Sequence, residues 1–341
     1  MTRFIAVMSS LLLLAAGDGT AQRRQGWVLP RTSWGDPDLT GTWTTTQMSG
    51  VPIERPHRFG SRQTLTYEEF AELGKQAKRQ AQIDAAEFDV STATTAPNAS
   101  EFVDRLEGRV TAVNFLGPDP RWNEPGTPSR RTSLIIDPPD GRFPPLTAGG
   151  QQRAERLAER RAHPGSMSDR TLYPRCVTRG VIGSVLPMII DSGNAIAQAP
   201  GYVVIRHEMI HEARVIQLGR RKPLSSTIRQ YMGDSRGRWD GDSLVIDTRN
   251  LREGVGVFFN GGGAATLSSQ AHIVERLSRT SIDTIRYEVT VDDPGTWTRA
   301  WTMAFPWHRD QNYTLFEYAC HEGNQAMRNI LAAERALSSD R

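Results

Sequence analysis

The sequence lacks the strings that mark several common enzyme chemistries. It has no P-loop, no Gly-x-Ser-x-Gly elbow and no dinucleotide fingerprint, which removes frequent routes to phosphoryl, acyl and hydride transfer. Gly261-Gly262-Gly263 follows Phe258-Phe259-Asn260 and reads as a flexible loop, not a phosphate cradle. Beyond residue 21 no run approaches the roughly 20 apolar residues of a transmembrane helix, so no membrane span is expected in the mature chain. An excess of one charge sign is also lacking: the formal net charge is +3, and a short cluster such as Gly219-Arg220-Arg221-Lys222 suits a solvated turn. A nucleic-acid footprint needs a larger, localised basic face, so no nucleic-acid partner is expected.

Cysteine is limited to two residues, Cys176 and Cys320. Their setting depends on the first 21 residues, where Arg3 precedes the apolar run FIAVMSSLLLLAA and the small residues Gly19-Thr20-Ala21 lead to Gln22. A basic front, a short apolar stretch and a small-residue exit form the pattern of a cleavable secretory signal. The expected processing is therefore a signal peptide over 1–21 and a periplasmic or secreted mature chain over 22–341. An oxidising compartment favours a disulfide over two separate buried thiols. Bonded, the pair would close a loop of about 145 residues, for which the chain-entropy model suggests about 4–5 kcal/mol.

Residues 22–194 are irregular and Pro-punctuated. Residues 38–44 alternate well enough for a first strand, and their Gly41-Thr42-Trp43 is what many calycin barrels show there. Thr66-Tyr67-Glu68-Glu69 is a capping box ahead of Phe70 and Leu73, so a helix should start there. Residues 89–100, rich in Ala, Thr and Ser, read as a loop. A short strand over 132–136 runs into Asp137-Pro138-Pro139-Asp140-Gly141, where two prolines stop the ladder and Asp-Gly turns the chain. A second polar helix is expected over 150–162.

From residue 195 the period changes to two. One long stretch or a hairpin over 202–218 is followed by strands expected over 228–239, 243–248, 271–279, 284–292, 296–305 and 314–319. Asp240-Gly241 and Asp293-Pro294-Gly295 are the clearest turn signals. A closing helix over 324–338 carries Met327, Ile330 and Leu331 on one face, with Asn324 as N-cap. Consecutive short strands over 195–319 without helices between them predict a mainly β fold in one domain. The expected architecture is an antiparallel meander closed as a calycin- or lipocalin-like barrel, with a β-sandwich as the alternative and a few peripheral helices.

Four strings taken together carry a resemblance. They are Thr132-Ser133-Leu134-Ile135-Ile136-Asp137-Pro138-Pro139-Asp140-Gly141-Arg142, Gly233-Asp234-Ser235-Arg236-Gly237-Arg238-Trp239-Asp240-Gly241-Asp242, Val274-Glu275-Arg276 and Glu317-Tyr318-Ala319-Cys320-His321-Glu322-Gly323-Asn324. Over most of its mature length the chain resembles a family of exported bacterial proteins of acidobacterial and sphingomonad type, to which no activity is assigned. The resemblance implies export and a shared fold, and it transfers no catalytic residue.

Several residue groups could carry chemistry. His207-Glu208-Met209-Ile210-His211 spells His-Glu-x-x-His, which on a helix binds zinc with the Glu as general base. The β-branched flank Tyr202-Val203-Val204-Ile205 favours a strand instead, in which residues four apart stand roughly 13 Å from each other. A hairpin turn within the stretch would alter that distance. As a strand, it would point Val203, Ile205, His207, Met209, His211, Ala213 and Val215 inward. Two other strands place a charge among apolar neighbours: Trp297, Arg299, Trp301, Met303 and Phe305 share one face, and Ala271, Ile273, Glu275 and Leu277 another. A buried charge is costly unless paired, so Glu275 and Arg299 are expected partners if their strands are neighbours. Glu317, His321 and Glu322 beside Cys320 hold the parts of an acid–base site.

Three functional readings follow. The first is a periplasmic or secreted barrel that binds a small apolar or amphipathic molecule, with Trp297, Trp301 and Met303 as walls and Arg299 with Glu275 as polar anchor. The second is a cofactor-independent lyase, hydratase or isomerase in the same cavity. Its candidate catalytic residues are His211, His272, Glu275, Glu317 and His321. The third is a zinc-dependent hydrolase through residues 207–211, the one reading that brings a cofactor. Convergence of His211, His272, Glu275 and Arg299 in an open pocket would favour catalysis, an apolar pocket with the charges paired outside it would favour binding, and a barrel filled by its own side chains would sink both cavity readings and leave a structural or interaction role.

Overall fold

The computed structural model describes residues 27–87, 129–187, 192–219, 222–256 and 266–339. The leader expected over 1–21, the loop over 89–100 and the glycine run at 261–263 lie outside them. The fold is mainly β, and its centre is a closed barrel of nine strands.

The strands are β1 (Gly41–Thr44), β2 (Ile135–Asp137), β3 (Asn194–Ala199), β4 (Tyr202–His207), β5 (Ala213–Leu218), β6 (Asp234–Asp240), β7 (Ser243–Arg249), β8 (His272–Ser281), β9 (Thr284–Asp292) and β10 (Trp301–Arg309). β1 and β3 to β10 follow one another around the barrel, and β1 closes it by pairing antiparallel with β10, Trp43 opposite Arg309. β2 is the extra strand and lies on the same edge of β10 as β1, with Met303 opposite Ile135. All pairs are antiparallel except β5 with β6, where Gln217 and Leu218 run parallel to Arg236 and Gly237. The irregular chain between these two strands provides the crossover a parallel pair requires.

Among the described residues there are four α-helices, α1 (Tyr67–Glu87), α2 (Ala148–Ala162), α3 (Gly180–Gly183) and α4 (Ala326–Ser339). The capping box at α1 is present in both directions, Glu69 N donating to Thr66 Oγ1 at 3.1 Å and Thr66 N to Glu69 Oε2 at 2.8 Å. Ala326 N donates to Asn324 Oδ1 at 3.1 Å, so Asn324 caps α4, and Met327 is the buried residue of that helix's apolar face.

Inward positions alternate along every barrel strand, and the interior is filled by them. Trp43, Ile205, Ile216, Ile246, Leu277, Tyr287, Val289, Trp301, Met303, Phe305 and Trp307 are all inaccessible or nearly so and belong to one core cluster. Tyr287 stacks on Trp307 with ring centres 4.9 Å apart and tilts against Phe305 at 5.2 Å. Barrels of this size are commonly packed solid by their own side chains. The short helix α3 adds Val181 and Ile182 to the same cluster. Its first residue must be glycine, because Gly180 sits at φ +70° and a Cβ there would stand 2.2 Å from Val255.

The segments before β3 dock through arginines that donate to backbone carbonyls. Arg55 reaches Pro139 O at 2.8 Å, Arg130 reaches Leu65 O at 2.9 Å, and Arg131 reaches the carbonyls of Leu134 and Ala304. Burial, with Arg286 and Arg55 adding repulsion, pushes Arg131 down to about 10, which still leaves it charged at neutral pH. These donors replace the ladder partners that irregular backbone lacks.

Three expected strands change. The one expected over 228–239 begins only at Asp234, with a single bridge from Gln230 to Leu251 before it. Residues 314–319 are not a strand: the last strand ends at Arg309, and the chain from 310 to 325 forms a coil, here called the strap. Both edges of β10 are already taken, by β9 on one side and by β1 and β2 on the other, so the chain that follows cannot fold back onto that strand. The strand expected over 296–305 begins only at Trp301, because residues 296–298 pair instead with the chain before α2, Thr147 N donating to Thr296 O and Thr298 N to Pro145 O.

Candidate functional site

The ionisable groups that burial sets apart gather at the turn between β4 and β5. His207 ends β4, a single-turn 3₁₀ segment covers Met209–His211, and β5 starts at Ala213. His207 N donates to Glu212 O at 2.8 Å and His211 N to Glu208 O at 2.8 Å, which closes the turn. Ile210 at φ +63° and His211 at φ +44° adopt left-handed backbone, and Cys176 nearby in the fold does so at φ +56°. For a β-branched residue such as Ile this conformation is a true outlier, and outliers of that kind concentrate at functional sites.

Each side chain of the turn has a separate task. His207 lies fully buried, and its Nδ1 sits 2.7 Å from Asn194 Oδ1; the amide of Asn194 donates to Ser192 O, so Oδ1 accepts and Nδ1 carries the proton. Nε2 of His207 has no hydrogen-bond partner among the described residues. Burial, followed by the charges of Arg214 and Arg179, holds its pKa well below the ordinary imidazole value.

Glu208 is equally buried and fully engaged. Its Oε1 accepts from Phe316 N at 2.8 Å, and its Oε2 accepts from Gly193 N at 3.2 Å and from the Tyr313 hydroxyl. Met209 accepts on its sulfur from Arg179 Nη1 at 2.9 Å. Glu212 accepts from Thr178 Oγ1 at 2.6 Å, and desolvation raises its pKa despite that bond and the nearby positive charges.

The turn reverses the expected facing of β5. Met209 and Ile210 are buried in the turn itself, and inward positions resume at Arg214 and Ile216, leaving Val215 64% exposed. A shift of one residue flips every side chain in a strand, so the predicted inward set Ala213 and Val215 lies outside. Arg214, not Arg299, is the partner of Glu275: its guanidinium binds the carboxylate at 2.6 and 2.8 Å, and the Tyr287 hydroxyl donates to Glu275 Oε1 at 2.8 Å. Burial works against the charge of Arg214, but attraction to Glu275 more than offsets it, and its pKa is raised.

Arg299 stands outside the barrel, 53% exposed at its side chain, and pairs with Asp137 at 2.8 Å. Trp297 and Trp301 are buried and meet edge to face at 5.5 Å, with Phe143 against Trp301 at 4.8 Å. Together with Met303 they belong to the packed core. His272 is three residues from Glu275 and therefore on the opposite face, where Nε2 donates to Asp247 at 2.7 Å and Nδ1 accepts from Arg249 at 3.1 Å.

The strap brings the remaining candidates together. Cys176 and Cys320 form the expected disulfide, with Cα atoms 5.6 Å apart, and the Tyr173 and Tyr318 hydroxyls are 2.8 Å apart. Exposed His211 lies with Nδ1 3.2 Å from Tyr318 O, one residue from Glu317 and three from His321, both also exposed. Phe316, 68% exposed, belongs to the same stretch. His211 thus meets the strap at Tyr318, whose chain neighbours include exposed Glu317 and His321, while His272, Glu275 and Arg299 occupy three other environments.

The two imidazoles of the His-Glu-x-x-His string are not presented side by side. One is inside the barrel and committed to Asn194, and the other is at the surface against the strap. Among the described residues no group of three or more His, Cys, Asp or Glu is arranged to hold a metal ion. No helix among them is long and apolar enough to cross a membrane.

Period two puts Glu208, Glu212 and Arg214 on an outer face, whereas Glu208 and Arg214 are buried and Glu212 is half-buried. The available signal was charge density: four ionisable side chains in six residues is more than a two-faced strand accommodates. Comparison with family models, with curated proteins and with solved structures finds no match.

Proposed function

We propose that the protein is exported and binds a small amphipathic molecule at the surface where His211 meets the strap. Phe316 supplies the apolar contact, and His211, Glu317 and His321 supply polar ones. The observation that carries this reading is the use of Glu208. A buried carboxylate directs its hydrogen bonds to Gly193, Tyr313 and Phe316, and so fixes the backbone of an aromatic that remains 68% exposed. An aromatic held rigidly in solvent loses little conformational freedom on binding, which favours affinity. Because the interior is packed by its own side chains, this reading takes the strap surface and not the barrel's centre as the site.

Native mass spectrometry of protein recovered from the periplasm tests the reading. Wild-type protein is expected to carry a bound small molecule that Phe316→Ala loses. Ligand-free wild-type protein, or equal retention by the variant, would overturn it.

A second reading, acid–base chemistry on the same molecule, is favoured by Glu212, whose carboxyl is raised and which adjoins exposed His211 in the chain. Turnover of the captured ligand lost in His211→Gln, with binding retained, would support it.

A further inference from the structure

We propose that Asn312 is an acceptor for an asparagine-linked glycan, an inference that rests on the export reading. The chain reads Asp310-Gln311-Asn312-Tyr313-Thr314, so Asn312 has a hydroxyl residue at the second position after it and a non-proline residue between. Asn-x-Ser/Thr is the acceptor pattern of asparagine glycosylation when it lies on the surface of an exported chain. Asp310, two residues before the asparagine, adds a carboxylate that a basic enzyme pocket can pair with. Asn98-Ala99-Ser100 has the same short pattern but Ala96 at that earlier position, and serves as an internal comparison.

The structure presents Asn312 as such a site requires. It lies in a turn three residues beyond the end of β10, and Gln311, Asn312 and Thr314 are all exposed. The backbone N–H of Asn312 donates to Asp310 Oδ1 at 2.9 Å, while its carboxamide makes no hydrogen bond among the described residues. The turn is fixed at both ends. Arg309 N donates to Asp283 O at 2.8 Å on one side, and the Tyr313 hydroxyl donates to Glu208 on the other. An exposed excursion between two anchors lets an enzyme take the side chain without unfolding a strand.

The transfer balances without a redox step. The carboxamide nitrogen bonds to the anomeric carbon of a polyprenyl-diphosphate-linked oligosaccharide. The bond from that carbon to the diphosphate oxygen breaks, the amide loses a proton, and lipid diphosphate leaves. A membrane oligosaccharyltransferase catalyses the step, and the Thr314 hydroxyl is available for acceptor recognition.

The test expresses the full chain with its own leader in a bacterial host that carries an oligosaccharyltransferase and its lipid-linked oligosaccharide. Trypsin cleavage after Arg309 and Arg328 isolates the relevant peptide for mass spectrometry. Wild-type protein is expected to gain the oligosaccharide mass on that peptide. Asn312→Gln and Thr314→Ala are expected to abolish the gain, Asp310→Ala to reduce occupancy several-fold, and Asn98→Gln to leave it unchanged. Thiol alkylation scores the Cys176–Cys320 disulfide and so reports arrival in the oxidising compartment. Disulfide-bonded wild-type protein without the glycan overturns the site itself, as does glycan retained in Asn312→Gln. Reduced, unprocessed protein overturns the export reading and, with it, the site.

Discussion

Burial acts with opposite sign on two side chains of the same turn, and stability at that turn depends on pH in two ways. His207 has a lowered pKa, so below about 6.5 an unfolded chain takes up a proton that the folded one refuses. Its contribution to stability is present above that value and is lost as pH falls, at up to about 1.4 kcal/mol per pH unit for one proton. In urea unfolding followed from pH 7 to pH 5, His207→Asn is expected to flatten the decline, and an unchanged slope would refute the assignment. Half-buried His308, lowered for the same reason, should leave a smaller residual slope. Glu212 behaves inversely. Its raised carboxyl means that the folded state holds a proton the unfolded state has released, so its stabilising share is present below about 4.3 and disappears as pH rises through the folded value. Glu212→Gln keeps an acceptor for Thr178 and should therefore be more stable than wild type at pH 7. The gain should vanish near pH 4 in the same urea measurements.

At the scale of elements, the strap depends on Glu208. Replacing it with alanine leaves Gly193 N, Phe316 N and the Tyr313 hydroxyl without their acceptor, at a cost of about 1–3 kcal/mol for a donor left unsatisfied in a buried place. Amide exchange at Phe316 should accelerate and protease sites open within 310–320, while β8 and β9 amides keep their protection; uniform loss of protection would show instead that the strap is inseparable from the barrel. The same elements show what could be read from the chain. Turn chemistry identified the hairpin at Asp240-Gly241 and the turn at Asp293-Pro294-Gly295, and the capping box marked the start of α1 at its actual residue. The β4–β5 turn was hidden because Met209 and Ile210 carry no turn signal, and Ile210 adopts its left-handed conformation only because the surrounding fold imposes it. A period-two reading continues through a turn that shifts the facing, and so misplaces Glu208 and Arg214 and with them the partner of Glu275. Residues 314–319 alternate as a strand does, yet they join no ladder and are held by side chains such as Glu208 instead, a tertiary arrangement that no local pattern carries.

At the scale of the whole molecule the barrel is closed by β1 on β10, and its packed interior contains the ion pair of Arg214 with Glu275, under the Tyr287 hydroxyl. Removing one member should cost far more than removing both. Glu275→Gln leaves the guanidinium without its charge partner and is expected to lose about 3–5 kcal/mol, whereas Arg214→Met with Glu275→Leu should lose much less. Urea unfolding of the two variants measures the contrast, and equal losses would refute it. The disulfide acts at the same scale in a different way. It joins two segments outside the barrel wall, at a sequence separation of 144 residues, so it is not what closes the ring of strands. Its effect should therefore fall on the unfolded chain, whose freedom the cross-link restricts by about 4–5 kcal/mol in the loop-entropy account. The Cys176→Ser, Cys320→Ser double variant should then show barrel-strand amides as well ordered as in the wild type under native conditions. Its urea midpoint should nevertheless fall by the equivalent of several kcal/mol, and amides of the strap should exchange faster. A variant that loses barrel order before unfolding would instead make the bond a structural member of the barrel.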